Sequence, residues 1–128
     1  MILFIRTGRM FWKRRCKVKV KDLVEKFGMQ TAAGEKGLER SVKSGYCGDL
    51  LSDVMANAPE GCVWLTIQSH QNIIAVAVLR EMACIVITGG HTPDTDTIDK
   101  AGNEGIPLLL WPGSAYTLAG SIYSAGIK

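Results

Sequence analysis

From residue 62 onward, apolar runs alternate with amphipathic segments, and this alternation constrains the fold more than any other feature of the sequence. The run over 62–67 is apolar and β-branched, which is typical of a strand covered on both faces. Similar runs follow over 83–88 and 106–111, and a helix is predicted after each of the three. Strands that alternate with helices run parallel and are joined by right-handed crossovers. We therefore predict an α/β domain of three layers, with a mainly parallel central sheet and flanking helices.

Helical periodicity, caps and turn residues define the remaining elements. Helices are predicted over 22–27, 49–58, 72–82, 92–104 and 114–125, and short strands over 29–33 and 41–46. Gly48 or Asp49 is expected to cap the helix over 49–58, and Thr92 is expected to cap the helix that ends at Glu104. The helix over 72–82 is apolar on nearly every side, so it is either deeply buried or part of an oligomer interface.

Composition places the chain among single-domain, non-membrane proteins. Its 128 residues are 47% apolar, which suits one domain with a core. No stretch approaches the ~18 uncharged apolar residues of a membrane-spanning helix, so we expect a soluble cytoplasmic protein. The cysteines are widely spaced and form no CxxC pair, so zinc-ribbon and thioredoxin sites are excluded and structural thiols are expected. No cofactor is expected.

Charge is distributed unevenly along the chain. Residues 1–21 contain eight basic residues and no acidic one, whereas 22–128 contain seven basic and twelve acidic residues. We interpret 1–17 as a basic leader that is flexible or not native, and 18–128 as the domain. A native leader would bind nucleic acid or anionic lipid through its charge. Without it the domain is acidic, and nucleic acid is not an expected partner.

Polar and glycine-rich loops follow the three buried strands. Ligands in parallel sheets usually bind at the carboxyl ends of strands, against helix N-termini. The candidate ligand contacts in these loops are Gln68, Ser69, His70, Thr88, Gly89, Gly90, His91 and Ser114. The two glycines permit positive φ and close approach of a phosphate or carboxylate to backbone N–H groups. A tight turn needs the same glycines, and Asp94 and Asp96 would repel an anion, so the turn alone is slightly favoured.

Motifs for catalysis are absent from the sequence. It contains no GxxxxGK[ST] loop, no GxGxxG after a strand and no GxSxG elbow. His70 and His91 can contact a ligand or be ordinary loop residues, and no metal site is predicted. Asp49 and Asp53 are four residues apart and are predicted to share a helix face, where Asp49 serves as a cap or ligand contact. An enzyme would need Asp49 within hydrogen-bond reach of His70 or His91, and we predict no enzyme.

Three stretches carry a resemblance to a known family: Gly37-Leu38-Glu39-Arg40-Ser41-Val42, Gly45-Tyr46-Cys47-Gly48-Asp49-Leu50-Leu51 and Ile87-Thr88-Gly89-Gly90. In this order and spacing they resemble the DRTGG domain, which is named for an Asp-Arg pair and a Thr-Gly-Gly triplet. Glu39 stands where the family has aspartate. The resemblance implies a fold similar to the N-terminal domain of HPr kinase/phosphorylase, which is not its kinase part.

Members of this family also occur beside CBS domains, in pyrophosphatases and ahead of phosphotransacetylase domains. Small stand-alone members are associated with iron-only hydrogenase systems of anaerobic bacteria. The resemblance therefore implies a non-catalytic regulatory or adaptor module that binds a small anionic ligand, with an adenine nucleotide as the finer class, or a partner protein in anaerobic redox metabolism. A structural homodimer is the alternative, motivated by the apolar helix over 72–82. Arg40 with Glu39 is expected to form an ion pair or a ligand clamp.

Overall fold

The computed structural model describes residues 18–128, so the basic leader predicted over 1–17 lies outside the described residues. Five strands form one sheet. They are β1 (Gln30–Ala33), β2 (Ser44–Cys47), β3 (Cys62–Thr66), β4 (Cys84–Ile87) and β5 (Leu108–Leu110). Their order across the sheet is β1-β5-β4-β3-β2, with β1 antiparallel to β5 and all other neighbours parallel. The predicted α/β class and mainly parallel sheet are confirmed.

Five helices cover the two faces of this sheet. They are α1 (Val20–Phe27), α2 (Leu51–Asn57), α3 (Asn72–Leu79), α4 (Thr95–Glu104) and α5 (Ala115–Ser124), and a short 3-10 helix spans Glu35–Gly37. Helices α2, α3 and α4 pack with Trp64 on one face of the sheet. Helices α1 and α5 pack with Val63 and Leu65 on the other. The alternation along β3 shows why its sequence is continuously apolar, because both faces of the strand are covered.

The two edges of the sheet differ. β1 has an irregular register between Thr31 and Ala33, where the pairing with β5 slips. β2 pairs regularly with β3 from Ser44↔Cys62 to Cys47↔Leu65. β1 and β2 follow each other in the chain but lie at opposite edges.

Helix α3 is shorter than the sequence predicts. It ends at Leu79 rather than at residue 82, because Glu81 adopts a left-handed backbone with φ of 54° and turns the chain toward β4. Most of its apolar residues are buried within the chain, including Ile73 and Ile74. Its exposed apolar residues are Ala75 and, in the last turn, Val78 and Leu79, with Leu79 69% exposed. Burial rather than an oligomer interface therefore accounts for most of the apolar character of this helix.

Two predicted helix caps are wrong. The N-cap of α4 is Asp94, not Thr92, because the backbone N–H of Asp94 donates to the Ser69 carbonyl and delays the start of the helix. The N-cap of α2 is Leu50, because the Asp49 side chain is directed to β3 instead of to the helix. Within residues 18–128, every helix is too short or too polar to cross a bilayer.

Candidate functional site

The parallel strands bring four loops to one edge of the sheet, which we call the carboxyl rim. It consists of residues 48–50, 67–71, 88–94 and 111–114, the segments that follow β2, β3, β4 and β5. Nine of the ten predicted site residues lie on it. They are Asp49, Gln68, Ser69, His70, Thr88, Gly89, Gly90, His91 and Ser114. The tenth, Arg40, does not.

The Thr-Gly-Gly loop is held by the loop that follows β5. The N–H of Gly89 donates to the Gly113 carbonyl at 2.8 Å, and the N–H of Gly90 donates to the Trp111 carbonyl at 3.3 Å. Both glycines have positive φ, 75° and 77°. Thr88 is buried beneath them, and its N–H donates to the Thr66 carbonyl. The two glycine N–H groups are therefore used inside the protein, and the backbone turn by itself accounts for both glycines.

The loop after β3 is joined to the start of α4. The Ser69 carbonyl accepts hydrogen bonds from the Asp94 N–H at 3.1 Å and from the Thr97 hydroxyl at 2.6 Å. His70 lies beside this junction, with its Nδ1 3.7 Å from the Asp94 carboxylate. Both side chains are largely exposed, so this pair contributes little to stability.

Asp49 joins the loops after β2 and β3. Its Oδ1 accepts hydrogen bonds from the Thr66 hydroxyl and from the Ile67 N–H, both at 2.9 Å. The Gln68 amide donates to the Asp49 carbonyl at 2.7 Å. The prediction that Asp49 and Asp53 share a helix face is wrong, because Asp49 precedes α2. Asp53 instead accepts from the Tyr46 hydroxyl, and this hydrogen bond raises the pKa of Tyr46.

Glu39 and Arg40 lie away from the rim and do not pair with each other. Glu39 contacts Lys19 at 2.8 Å and Lys21 at 3.1 Å, and these two ammonium groups lower the pKa of Glu39. Arg40 donates from Nη1 to the Met82 carbonyl at 2.8 Å, just before β4 begins. The predicted Glu39–Arg40 ion pair is therefore wrong. Any clamp formed by Arg40 would act at the amino ends of the strands.

Arg40 borders an open cavity of about 520 Å³ at that opposite edge. Charged residues of both signs line it, including Lys43, Glu60, Glu81 and Glu104. Its mixed charge gives no net attraction for an anion.

The rim combines hydrogen-bond donors with negative charge. Its ionisable residues are Asp49, Asp94 and two exposed histidines, and none of its segments contains lysine or arginine. No group of three or more metal-ligating side chains occurs in the described part of the chain. Between residues 18 and 128, neither histidine makes a hydrogen bond with Asp49, whose Oδ1 accepts from Thr66 and Ile67.

One residue of the rim has a hydrogen-bond donor that lacks an acceptor. Trp111 follows β5 and is only partly buried, yet its indole Nε1 is shielded from solvent and has no hydrogen-bond partner among the described residues. The corresponding Nε1 of Trp64 donates to the Gly48 carbonyl at 2.8 Å. Buried donors are nearly always paired, so the unpaired N–H of Trp111 is an exception in this fold. It lies against Gly113, where an added Cβ would be 2.9 Å from Nε1. No sequence signal separates the two tryptophans.

A second surface that sequence reasoning missed lies between β2 and α5. It is a groove of about 220 Å³, lined mainly by apolar residues that include Gly45, Cys47, Ala119 and Tyr123. The one signal in the sequence is the absence of any charged residue over 105–127, although α5 lies at the surface.

Comparison with known proteins gives a family and a fold. Residues 22–125 match the model of the DRTGG domain. The fold is similar to the crystal structure of the CBS and DRTGG domains of the regulatory region of Clostridium perfringens pyrophosphatase, complexed with its activator diadenosine tetraphosphate. The TM-score is 0.67 at 16% identity, over 84% of this chain and 46% of that one. This chain thus spans under half of that structure, and the likeness shows the fold alone. No curated protein matches.

Proposed function

This chain belongs to the DRTGG domain family, and we propose that it is a non-catalytic regulatory or adaptor module whose carboxyl rim binds a small anionic ligand. The finer proposal is an adenine nucleotide. The pyrophosphatase regulatory region of similar fold is complexed with diadenosine tetraphosphate, which supports a nucleotide as the first class to test. A partner protein in anaerobic redox metabolism is the alternative occupant of the rim.

The unpaired indole N–H of Trp111 is the observation that carries this proposal. Once the 111–114 loop shifts to admit it, an acceptor atom of a ligand, a phosphate oxygen or a ring nitrogen, would satisfy this N–H and offset the free energy lost by burying the group. The indole Nε1 lies beside Gly113, where an added Cβ would be 2.9 Å from it, and the Gly113 carbonyl accepts a hydrogen bond from the Gly89 N–H of the Thr-Gly-Gly loop. Binding there would therefore act on two strand ends at once.

Other donors on the rim supplement Trp111. The first turns of α4 and α5 present backbone N–H groups whose dipoles favour an anion. The Gly89 and Gly90 N–H groups are already bonded, so we assign them a scaffolding role. Asp49 and Asp94 oppose negative charge, and we therefore expect weak binding that improves when the nucleotide carries a magnesium ion.

A nucleotide titration of the wild-type chain and of two single variants tests the proposal. The probes are ATP with and without Mg²⁺, AMP and diadenosine tetraphosphate. Their binding is measured by calorimetry and by the shift in the thermal unfolding midpoint. A ligand at a hundred times its Kd stabilises the fold by about 2.7 kcal/mol. Trp111→Phe is expected to weaken binding at least tenfold, whereas Arg40→Ala, at the opposite edge, is the matched control and leaves binding unchanged.

Two outcomes would count against nucleotide binding at the carboxyl rim. If no probe at millimolar concentration shifts the unfolding midpoint, an adenine nucleotide is excluded as the ligand. Loss of binding in Arg40→Ala with retention in Trp111→Phe moves the site to the amino ends of the strands. The same samples report on catalysis, because a non-catalytic module leaves each nucleotide unchanged on long incubation.

Self-association supplies a second role for the chain, that of a homodimeric interaction module. The apolar helix that suggested it is mostly buried within the chain. The observation that favours this role is instead the uncharged, partly apolar surface of β2 and α5.

A further inference from the structure

We propose that the open cavity bordered by Arg40 binds a basic amino acid, a molecule with one carboxylate, two cationic groups and an aliphatic body. We call it the amino-end cavity, because it lies where the strands begin, opposite the carboxyl rim. Its volume of about 520 Å³ is within the range of small-molecule sites in proteins, ~300–1,000 Å³. This second site is independent of the nucleotide proposed for the rim.

The wall of the cavity is formed mainly by the segments that precede β2, β3, β4 and β5, and backbone hydrogen bonds join the first three. The N–H of Lys43 donates to the Gly61 carbonyl at 2.9 Å, and the N–H of Gly61 donates to the Glu81 carbonyl at 2.8 Å. The charged side chains of the wall are therefore carried by a fixed backbone. Such preorganisation lowers the entropic cost of binding a ligand.

Arg40 supplies the group that would hold a carboxylate. Its Nη1 donates to the Met82 carbonyl at 2.8 Å, although the residue is exposed. Within residues 18–128, its other N–H groups make no hydrogen bond and it forms no ion pair. A guanidinium held by one donor keeps the rest of its planar fork oriented, and this fork matches the geometry of a carboxylate. Lys43 lines the same cavity and adds a second positive charge.

Three glutamates supply negative charge to the cavity. Glu60, Glu81 and Glu104 line it, all three are exposed, and none forms an ion pair with a residue of the described chain. The lining cations and carboxylates therefore do not neutralise each other by direct contact. A simple anion would meet three carboxylates, and a diamine would leave Arg40 and Lys43 uncompensated. A ligand with two cationic groups and one carboxylate complements both signs.

The backbone of Glu81 indicates that its side chain has a use. Its φ is 54°, and every other positive-φ residue of the described chain is glycine. This conformation disfavours a residue with a Cβ, and glycine would relieve the strain. Non-glycine residues held in this way are concentrated at functional sites. A carboxylate that binds the cation of a ligand accounts for a glutamate at a position where the fold alone favours glycine.

Aliphatic side chains form the apolar part of the lining. They come from Ala77, Val78, Met82 and Ile106, with no aromatic residue among the lining positions. The methylene chain of lysine or arginine covers such a surface well, while its charged ends reach polar partners. The cavity therefore matches a basic amino acid in its body as well as in its charges.

Calorimetric titration of the full chain with L-lysine and L-arginine at low ionic strength tests the proposal. We expect a Kd on the order of 1 mM for ligands of so few atoms. Two matched probes lack one charged group each: norleucine lacks the side-chain ammonium, and cadaverine lacks the carboxylate. Each should bind about tenfold more weakly than lysine, because a charged hydrogen-bonding partner is lost.

Single variants locate the site. Glu81→Gln should weaken lysine binding about tenfold, whereas Glu25→Gln, on an exposed part of α1 that does not line the cavity, should leave it unchanged. Glu81→Gly should bind as weakly as Glu81→Gln but unfold at a higher temperature, which separates loss of the carboxylate from loss of the fold. Arg40→Ala should weaken the binding of lysine more than that of cadaverine.

Three results would overturn the proposal. They are no heat of binding with either amino acid at millimolar concentration, equal binding of lysine and its two analogues, and the same affinity for lysine in Glu81→Gln and Glu25→Gln. Trp111→Phe should bind lysine like the wild type, and Glu81→Gln should bind nucleotide like the wild type. Failure at the amino-end cavity and failure at the carboxyl rim are therefore distinguishable.

Discussion

Replacing Gly90 by alanine tests whether the Thr-Gly-Gly loop needs glycine for its backbone shape alone. Gly90 has a φ of 77°, and an added Cβ would meet nothing closer than the Pro112 carbonyl oxygen at 3.9 Å. The only penalty is therefore conformational. A left-handed conformation disfavours a residue with a Cβ by about 1–2 kcal/mol.

Two other glycines calibrate this value within the same fold. Gly28 has a φ of 69° and open space around the missing Cβ, so Gly28→Ala should cost the same ~1–2 kcal/mol. Gly34 has a φ of 79°, but its Cβ would collide with the Ile106 carbonyl oxygen. Overpacking adds about 1–3 kcal/mol, so Gly34→Ala should cost ~2–5 kcal/mol. Alanine stiffens the unfolded chain equally in all three variants, and this contribution cancels in the differences.

Urea unfolding of the three variants gives the comparison, with the slope m required to stay constant. We expect Gly90→Ala to match Gly28→Ala within about 0.5 kcal/mol, an ordinary scatter for independent sites. A Gly90 value as large as the Gly34 value would show that the loop is packed more tightly than the structure has it. A value near zero would mean that the loop does not hold the left-handed turn, and the reasoning would fail.

Further predictions concern single contacts. Trp64→Phe leaves the Gly48 carbonyl without its donor and should cost about 2–4 kcal/mol by urea unfolding, whereas the same change at Trp111, whose Nε1 has no partner, should cost under about 1 kcal/mol. Ser114→Ala removes the acceptor for the Thr117 N–H and should cost about 1 kcal/mol; an unchanged midpoint would show that water replaces this cap. Lys19 and Lys21 lower the pKa of Glu39, so its contribution is present above the unfolded value of 4.5 and is lost as pH falls through the folded pKa. Glu39→Gln should therefore flatten the acid side of the stability profile, and added salt should do the same; a variant that keeps the slope would assign it elsewhere.

The sheet could be predicted from sequence because its central strands are apolar on both faces. Residues such as Val63 and Trp64 belong to opposite clusters, and no other fold class buries such a run so simply. The helix boundaries were harder to predict from sequence, because tertiary contacts determine them. The N–H of Asp94 bonds the Ser69 carbonyl, a partner 25 positions away, and this contact moves the start of α4 past Thr92. Intrinsic cap preference contains no information about that partner.

The position of the candidate site on the sheet could be predicted from sequence, but the hydrogen-bonding state of its polar groups could not. Parallel topology alone brings the strand ends together, so His70 and Gly90 share an edge as expected. Which polar groups are already satisfied depends on hydrogen bonds that no spacing reveals. The Gly89 and Gly90 N–H groups are occupied, and that of Trp111 is not. Arg40 lies at the other end of the strands because it precedes β2, which runs parallel to β3 and β4, and so it stands where these strands begin.

The placement of β1 and β2 at opposite edges has a consequence for how the chain is made. Among the described strands, β1 is the first to leave the ribosome, but it pairs with Leu108–Leu110, the last of them to be synthesised. The sheet therefore stays open at β5 until nearly the whole domain has been translated. A nascent chain stalled before residue 108 has neither β5 nor a partner for β1. Completion of the sheet is thus a late, long-range step, of the kind that slows folding relative to domains built from local contacts.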